Sequence, residues 1–335
     1  MEEQEKKYYT IDDVARELGV SKSTVSRAIS GKGRIGTKTR ERVQRFIEEH
    51  DYRPNAVAKG LAQKKTYNLG LLLPMDYAAT EYSFFKDCMK GICQEASRWN
   101  YDIIISMVEG EELSQVSRLV CNRKVDGVIL SRATEHSFIQ DYLRKNEMPY
   151  LVVGPGTEPG TVYVDNPNEE ASRELTEIML MKGIRRLALM GGKDDISVNE
   201  SRFQGFVQAH EKMGVPVDAS LIFRNVDNHL QAMEAVEASL AAQADGIVCM
   251  DDFISNLALG CLREKQVRLP EECRLASFYD SGQMEYNDPP ITSVRFDTVM
   301  LGRNACRKLL RLLGEETEEE VPQLNYQVIL RETTK

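Results

Sequence analysis

The chain has 335 residues, 42% hydrophobic and 28% charged, with a net charge of −9. That length suits a small module joined to a large domain of one or two lobes, with apolar content for a sizeable core. No stretch reaches the apolar length of a membrane span, and the N-terminal Met-Glu-Glu-Gln-Glu-Lys-Lys has no apolar signal core, so a cytoplasmic protein is expected. Seven cysteines, odd in number and without a C-x-x-C, read as reduced, mostly buried thiols rather than a metal site or disulfide framework.

Residues 9–31 read as two short helices with a tight corner. Thr10 caps the first, and Asp13 three residues on completes a capping-box arrangement. Ile11, Val14, Ala15 and Leu18 share one face, and Gly19 supplies the left-handed residue that ends the helix. Ser21 caps a second helix, with Val25, Ala28 and Ile29 inward and Lys22, Ser23, Thr24, Ser26 and Arg27 outward. A hydroxylic and cationic outer face suits a helix-turn-helix whose second helix lies in a DNA major groove. Thr37 to His50 predicts a third helix, with Val43, Phe46 and Ile47 inward and Lys38, Arg40, Arg42 and Arg45 available to phosphates. Gly31-Lys32-Gly33-Arg34-Ile35-Gly36 satisfies G-x-G-x-x-G, which signals dinucleotide binding only after a strand; here it follows a helix. Gly36-Thr37-Lys38-Thr39 lacks the Gly-Lys-Ser/Thr order of a phosphate loop. Residues 1–65 carry a net +5 and the remainder −14, so a basic head that can condense onto phosphates sits on an acidic body.

From Tyr67 the pattern changes. Strand-like runs occupy 68–73, 101–108, 125–130, 150–153, 186–190, 246–250 and 274–278. Helical periods lie near 83–98, 112–123, 137–146, 168–182, 200–213, 230–242 and 252–265. Such alternation predicts parallel sheets with helices on both faces, and strands this apolar are buried on both sides. Val125-Asp126-Gly127-Val128-Ile129-Leu130 is echoed by Ala244-Asp245-Gly246-Ile247-Val248-Cys249, a hint of two similar lobes. The four histidines are scattered, and none belongs to a motif that would make it a metal ligand or base. No catalytic set, cofactor motif or metal set is expected.

The head carries a resemblance. T-I-x-D-V-A-x-x-x-G-V-S-x-x-T-V-S-R from Thr10, then T-R-x-x-V, then Y-x-P-N-x-x-A-x-x-L from Tyr52, resembles the lactose/galactose-repressor (LacI/GalR) family of bacterial transcription regulators. The likeness implies DNA contacts from Thr10, Ser21, Lys22, Ser23, Thr24, Ser26, Arg27, Arg34 and Thr39. It also implies a hinge helix, formed on DNA, that carries Asn55, Ala58 and Leu61, with Leu61 wedged into the minor groove. Gly60 is a poor helix former, so the hinge is expected to be largely unfolded off DNA. Further segments match more loosely: Tyr82-Ser83-Phe84-Phe85, Val164-Asp165-Asn166, Arg202-Phe203-Gln204-Gly205-Phe206, Asp251-Asp252, Pro289 to Val294 and Leu330 to Thr334.

The resemblance implies an α/β fold: a three-helix helix-turn-helix head and hinge helix, then a two-lobed periplasmic-binding-protein-like (type I) sensor of doubly wound parallel sheets. The expected boundaries are 1–53 for the head, 54–65 for the hinge, 66–163 plus 293–322 for the first lobe, and 164–292 plus 323–335 for the second. Ligands of open α/β sheets bind at strand carboxyl ends. The expected effector residues are Asp76, Phe84, Phe85, Arg202, Asp251, Tyr279 and Asp280.

The chain departs from the family at two places, where many members carry an aspartate: Gly154 and Tyr279 stand there instead. Lost carboxylate acceptors predict that an uncharged sugar binds poorly by the family's usual mode. A ligand offering an anionic or carbonyl group to Arg202, with a flat part toward Tyr279, fits better. Candidates are a sugar phosphate, a carboxylate or an aromatic metabolite, with a sugar held by Asp76, Asp251 or Asp280 as the alternative. The function expected is a DNA-binding regulator, a repressor switched by a small molecule and reading a near-palindromic operator. A homodimer is expected rather than a tetramer, because no heptad helix follows in this sequence. A nucleotide-dependent enzyme is the competing class, disfavoured because no strand precedes Gly31 and no matched acid and base appears. A plain solute-binding protein is disfavoured by the N-terminal module.

Overall fold

The computed structural model describes residues 9–30, 34–50, 52, 60, 63–75, 82–110, 112–134, 137–156, 158–317 and 322–335. The chain divides into two compact units, 1–66 and 67–335.

In the first unit, α1 (Ile11–Leu18) begins at a complete capping box and ends at Gly19, whose φ of 63° is left-handed. The Thr10 amide donates to Asp13 Oδ2 at 2.9 Å, and the Asp13 amide donates to Thr10 Oγ1 at 3.3 Å. Ser21 starts α2 (Lys22–Ser30) by accepting the Thr24 amide on its hydroxyl at 3.2 Å. Gly36 carbonyl opens α3 (Thr37–His50). Val14, Ala15, Val25, Ala28, Val43, Phe46 and Tyr52 form the core of this unit. Arg42 is exposed, and its Nη2 donates to the Leu18 carbonyl at 2.9 Å, tying α3 to the end of α1. The hinge residues Asn55, Ala58 and Leu61 lie outside the described residues.

The second unit holds two sheets. The first, entirely parallel, has the order β2-β1-β3-β4-β5 and comprises β1 (Asn68–Pro74), β2 (Asp102–Val108), β3 (Gly127–Leu130), β4 (Tyr150–Val153) and β5 (Val162–Val164). The second contains β6 (Leu187–Met190), β7 (Ile222–Phe223), β8 (Gly246–Cys249), β9 (Arg274–Ser277), β10 (Thr292–Phe296) and β11 (Tyr326–Ile329), in the order β11-β10-β9-β8-β6-β7. Leaving out β11, the second order repeats the first strand for strand. The echoed Asp-Gly motifs hold equivalent places. Asp126 accepts the Tyr67 amide at 2.9 Å ahead of β1, and Asp245 accepts the Arg186 amide at 2.9 Å ahead of β6. Two lobes of one topology are therefore real.

The helices are α4 (Tyr82–Arg98), α5 (Ser114–Cys121), α6 (Phe138–Lys145), α7 (Asn168–Met181), α8 (Ser197–Met213), α9 (His229–Ala241), α10 (Asp252–Glu264), α11 (Gln283–Tyr286) and α12 (Thr298–Leu312). The helix after the fifth strand of each sheet leaves for the other lobe. From α7, Ala171, Leu175 and Met179 join the core around the second sheet. From α12, Leu301, Ala305, Cys306, Leu309 and Leu310 join Leu69, Leu71, Ile129 and Leu151 of the first. Glycines allow these crossings. A Cβ on Gly91 or Gly302 would overlap backbone of the partner helix in the α4–α12 pair, and one on Gly205 would overlap the Glu169 carbonyl of α7.

Three features depart from the sequence expectation. The return to the first lobe begins after Phe296, not at 293, because β10 pairs with β9 in the second sheet. The sheets are not wholly parallel, since β11 runs antiparallel to β10. The short strands β5, β7, β10 and β11 and the helices α11 and α12 add to the elements expected. All seven cysteines are free, five of them buried. No helix among the described residues is long and apolar enough to cross a membrane.

Candidate functional site

The outer face of α2 exposes Lys22, Ser23, Ser26 and Arg27, and Thr24 is half-buried beside them. Ser21 Oγ lies 2.8 Å from both Ser23 Oγ and Thr24 Oγ1, so the first turn is a linked row of hydroxyls. Thr10 is exposed but committed to the α1 cap, Arg34 is exposed, and Thr39 is half-buried in the first turn of α3. A helix, α2, directly precedes Gly31, so the dinucleotide reading of the glycine motif lacks its strand.

In the 67–335 unit, strand carboxyl ends face a cleft of about 380 Å³. Its rim is joined where Thr134 of one lobe bridges Ile196 of the other, and the Ser197 amide donates to the Ala133 carbonyl. Phe84 and Phe85 from α4, Arg202 from α8, Asp251 ahead of α10 and Tyr279 after β9 all line this cleft. Asp76 lies outside the described residues.

Asp280 does not line the cleft. Its buried carboxylate accepts Ser293 Oγ at 2.8 Å, Arg295 Nε at 2.5 Å and Arg331 Nη2 at 3.2 Å, locking β10 and the chain's last residues together. Three partners consume its acceptors, which corrects its expected role as an effector contact. The cleft brings in others that sequence reasoning passed over: Asp165 and Asn166 after β5, Asn168 opening α7, and Asp252 opening α10. Three of these, Asp165, Asn166 and Asp252, stood in quoted motifs, Val164-Asp165-Asn166 and Asp251-Asp252. Their position at the carboxyl end of a strand was the available signal.

Arg202 is buried, its Nε donating to Asn168 Oδ1 at 3.2 Å and its Nη1 to the Met250 carbonyl at 2.8 Å. Burial pulls its pKa below the ordinary value, and Asp251 and Asp165 push back; guanidinium stays charged in proteins. Desolvation raises Asp165 to about 6, countered by the Asn168 amide. Asp252 rises to about 7, first through burial and then through the neighbouring Asp251 charge. Asp251 is itself pushed up by burial while it caps α10 by accepting the Ile254 amide at 2.9 Å. Asn166 Oδ1 is buried with no hydrogen-bond partner among the described residues.

The two departures from the family pattern have steric content. Gly154 has a φ of 121°, and a Cβ there would come within 2.9 Å of the Ala133 Cβ, so an aspartate does not fit. The Tyr279 ring meets Phe84 edge-on at 6.1 Å, and its hydroxyl lies 3.4 Å from Thr298 Oγ1. The site therefore offers flat apolar faces, a partly engaged guanidinium, and acceptors from Asp165, Asn166, Asp251 and Asp252.

Two family models match the chain: "Bacterial regulatory proteins, lacI family" over residues 10–55, and "Periplasmic binding protein-like domain" over 176–334. The HTH-type transcriptional regulator MalR of Streptococcus pneumoniae is 35% identical over 313 residues, covering 91% of this chain and 93% of the relative. Catabolite control protein A of Staphylococcus xylosus is 30% identical over 330 residues, covering 97% and 99%. Among solved structures, a transcriptional regulator CelR–cellobiose complex is similar at a TM-score of 0.70 and 27% identity, covering 97% of this chain and 99% of the other.

Proposed function

The chain belongs to the LacI family of bacterial regulatory proteins and is a sequence-specific DNA-binding transcriptional regulator, and on that premise we propose that it is a dimeric repressor whose operator affinity is set by an uncharged, hydroxyl-rich ligand in the cleft. Its relatives are transcriptional regulators, so the nucleotide-dependent enzyme drops out. Lys22, Ser23 and Arg27 read bases from the α2 face, Ser21, Thr24, Ser26, Arg34 and Thr39 stand near phosphates, and Thr10 fixes the helix that supports them. Asn55, Ala58 and Leu61 form the hinge.

One observation carries the ligand class: the buried Asn166 Oδ1, without a hydrogen-bond partner among the described residues, converges with Asp165, Asp251 and Asp252 on one cleft. A buried acceptor without a partner costs free energy that a ligand hydroxyl recovers. The expectation of an anionic ligand assumed a free Arg202, but two of its donor groups are taken. The lining also sets Asp165, Asp227, Asp251 and Asp252 against Arg132, Lys193 and Arg202, one more carboxylate than cation. Phe84 and Tyr279 supply faces for a sugar ring. The volume lies near the lower end of the ~300–1,000 Å³ range of small-ligand sites, and the CelR likeness to a cellobiose complex supports the same class.

Thermal-shift and calorimetric titration of the full chain with uncharged mono- and disaccharides, sugar phosphates and carboxylates tests this reading. An uncharged saccharide should raise the melting temperature and change operator affinity. Binding confined to anions would refute it.

A further inference from the structure

We infer that Asp12 is a specificity-determining residue, reading operator DNA together with Lys22 as a donor–acceptor pair matched to a G·C base pair. The inference rests on the reading of α2 as the helix that enters the major groove. Asp12 lies in the first turn of α1 and Lys22 opens α2. Ammonium and carboxylate are 2.5 Å apart, and the two side chains remain 64% and 48% exposed. The cap of α1 does not use this carboxylate. The capping box of α1 is completed by Asp13, which also pairs with Arg16 at 3.3 Å. Asp12 is exposed and contributes nothing to the apolar core of the head.

A carboxylate on a face that approaches phosphates is repelled by them. That cost is offset where it meets an amino group on a base edge. Cytosine N4 is such a donor, while guanine O6 and N7 accept from lysine. O6 of a guanine and N4 of its paired cytosine bond to each other, so they lie about 2.9 Å apart along the groove edge. That spacing is close to the separation of Lys22 from Asp12. Lysine alone is a compact charge on a flexible stem, and it accepts guanine on either strand. Fixed beside Asp12, it presents donor and acceptor in one order, which separates G·C from C·G as well as from the A·T pairs.

The test is selection of the full-length protein on random duplex DNA, followed by competition binding at one salt concentration. Wild-type sites should hold a G·C pair of fixed orientation at one position of each half-site. Asp12→Asn keeps size and shape, and its melting curve checks the fold. At that position alone, discrimination should fall about tenfold. Affinity for random duplex should rise and its salt dependence steepen by about one phosphate's worth, because Lys22 is released. Ser23→Gln, which brings an adenine-reading amide, is the control and must shift the preferred site. If it does, while Asp12→Asn keeps the same ranking of sequences and gains affinity evenly, Asp12 merely neutralises Lys22 and the inference is overturned. If neither change shifts the preferred site, α2 is not the reading helix, and both readings fall.

Discussion

Removing the Arg202 side chain leaves Asn168 Oδ1 and the Met250 carbonyl without that donor, and takes a nearby cation from Asp251, Asp165 and Asp252. Leaving a buried acceptor unpaired costs about 1–3 kcal/mol. Arg202→Ala should therefore lower the thermal stability of the sensor and abolish its ligand response. Below the new melting temperature it should leave operator binding nearly intact, because the head is a separate unit. Differential scanning calorimetry and operator titration with and without ligand check the two halves. The carboxylates also tie stability to pH. Asp165 titrates at about 6 and Asp252 at about 7 in the fold, against ~3.9 for an unfolded aspartate. The folded state thus binds more protons between about pH 4 and 7, and stability falls as pH rises through that window and levels above it. Thermal melts at about pH 5 and about pH 7.5 should show the sensor more stable in acid. The difference should shrink in Asp252→Asn. At this scale Arg202, Asp251, Phe84 and Phe85 were legible because each stands in a short motif, and Tyr279 because it stands where many family members carry an aspartate. Asp280 misled because its partners, Arg295 and Arg331, are distant in sequence and come together only through β10 and the chain's last residues.

Helix α12 is the element that sequence periodicity most needed and did not supply. Gly302 interrupts its apolar face, yet that glycine is where α12 meets the Cys88 carbonyl of α4. Gly302→Ala should destabilise by at least the ~1–3 kcal/mol typical of overpacking, since backbone on both sides cannot yield as a side chain can. Chemical denaturation measures it, and a neutral result would mean the helices part at little cost. The fully buried strands of both sheets were legible, because burial on two faces leaves an unbroken apolar run. β5 and β7, at three and two residues, are too short to show a period, and β11 is only partly buried and carries Gln327. The hinge is a second test of an element. A Leu61 wedge trades unstacking, a few kcal/mol, for the contacts a bend allows. Leu61→Ala should cut affinity for operator far more than for random duplex at matched salt. Equal losses would count against the wedge.

For the whole molecule, the basic head and acidic body make DNA affinity a property of a small part of the chain. One three-helix head makes few contacts, so two held in register gain through effective concentration. Light scattering should give a dimer at micromolar concentration, and a monomer both with and without operator would contradict it. The exchange of helices between the lobes bears on how the chain is made. Synthesis runs from the N-terminus, and domains generally fold as they emerge. The first sheet leaves the ribosome early, but its core includes Leu301, Ala305 and Leu309 of α12, which emerge near the end. Until then Ile92 and its neighbours on α4 have no helix to cover them. The second lobe has the opposite timing, because α7 is translated before any of its strands. Nascent chains halted before residue 298 should therefore bind holdase chaperones through α4 and yield to protease there, so the lobe that is translated first is finished only when α12 arrives.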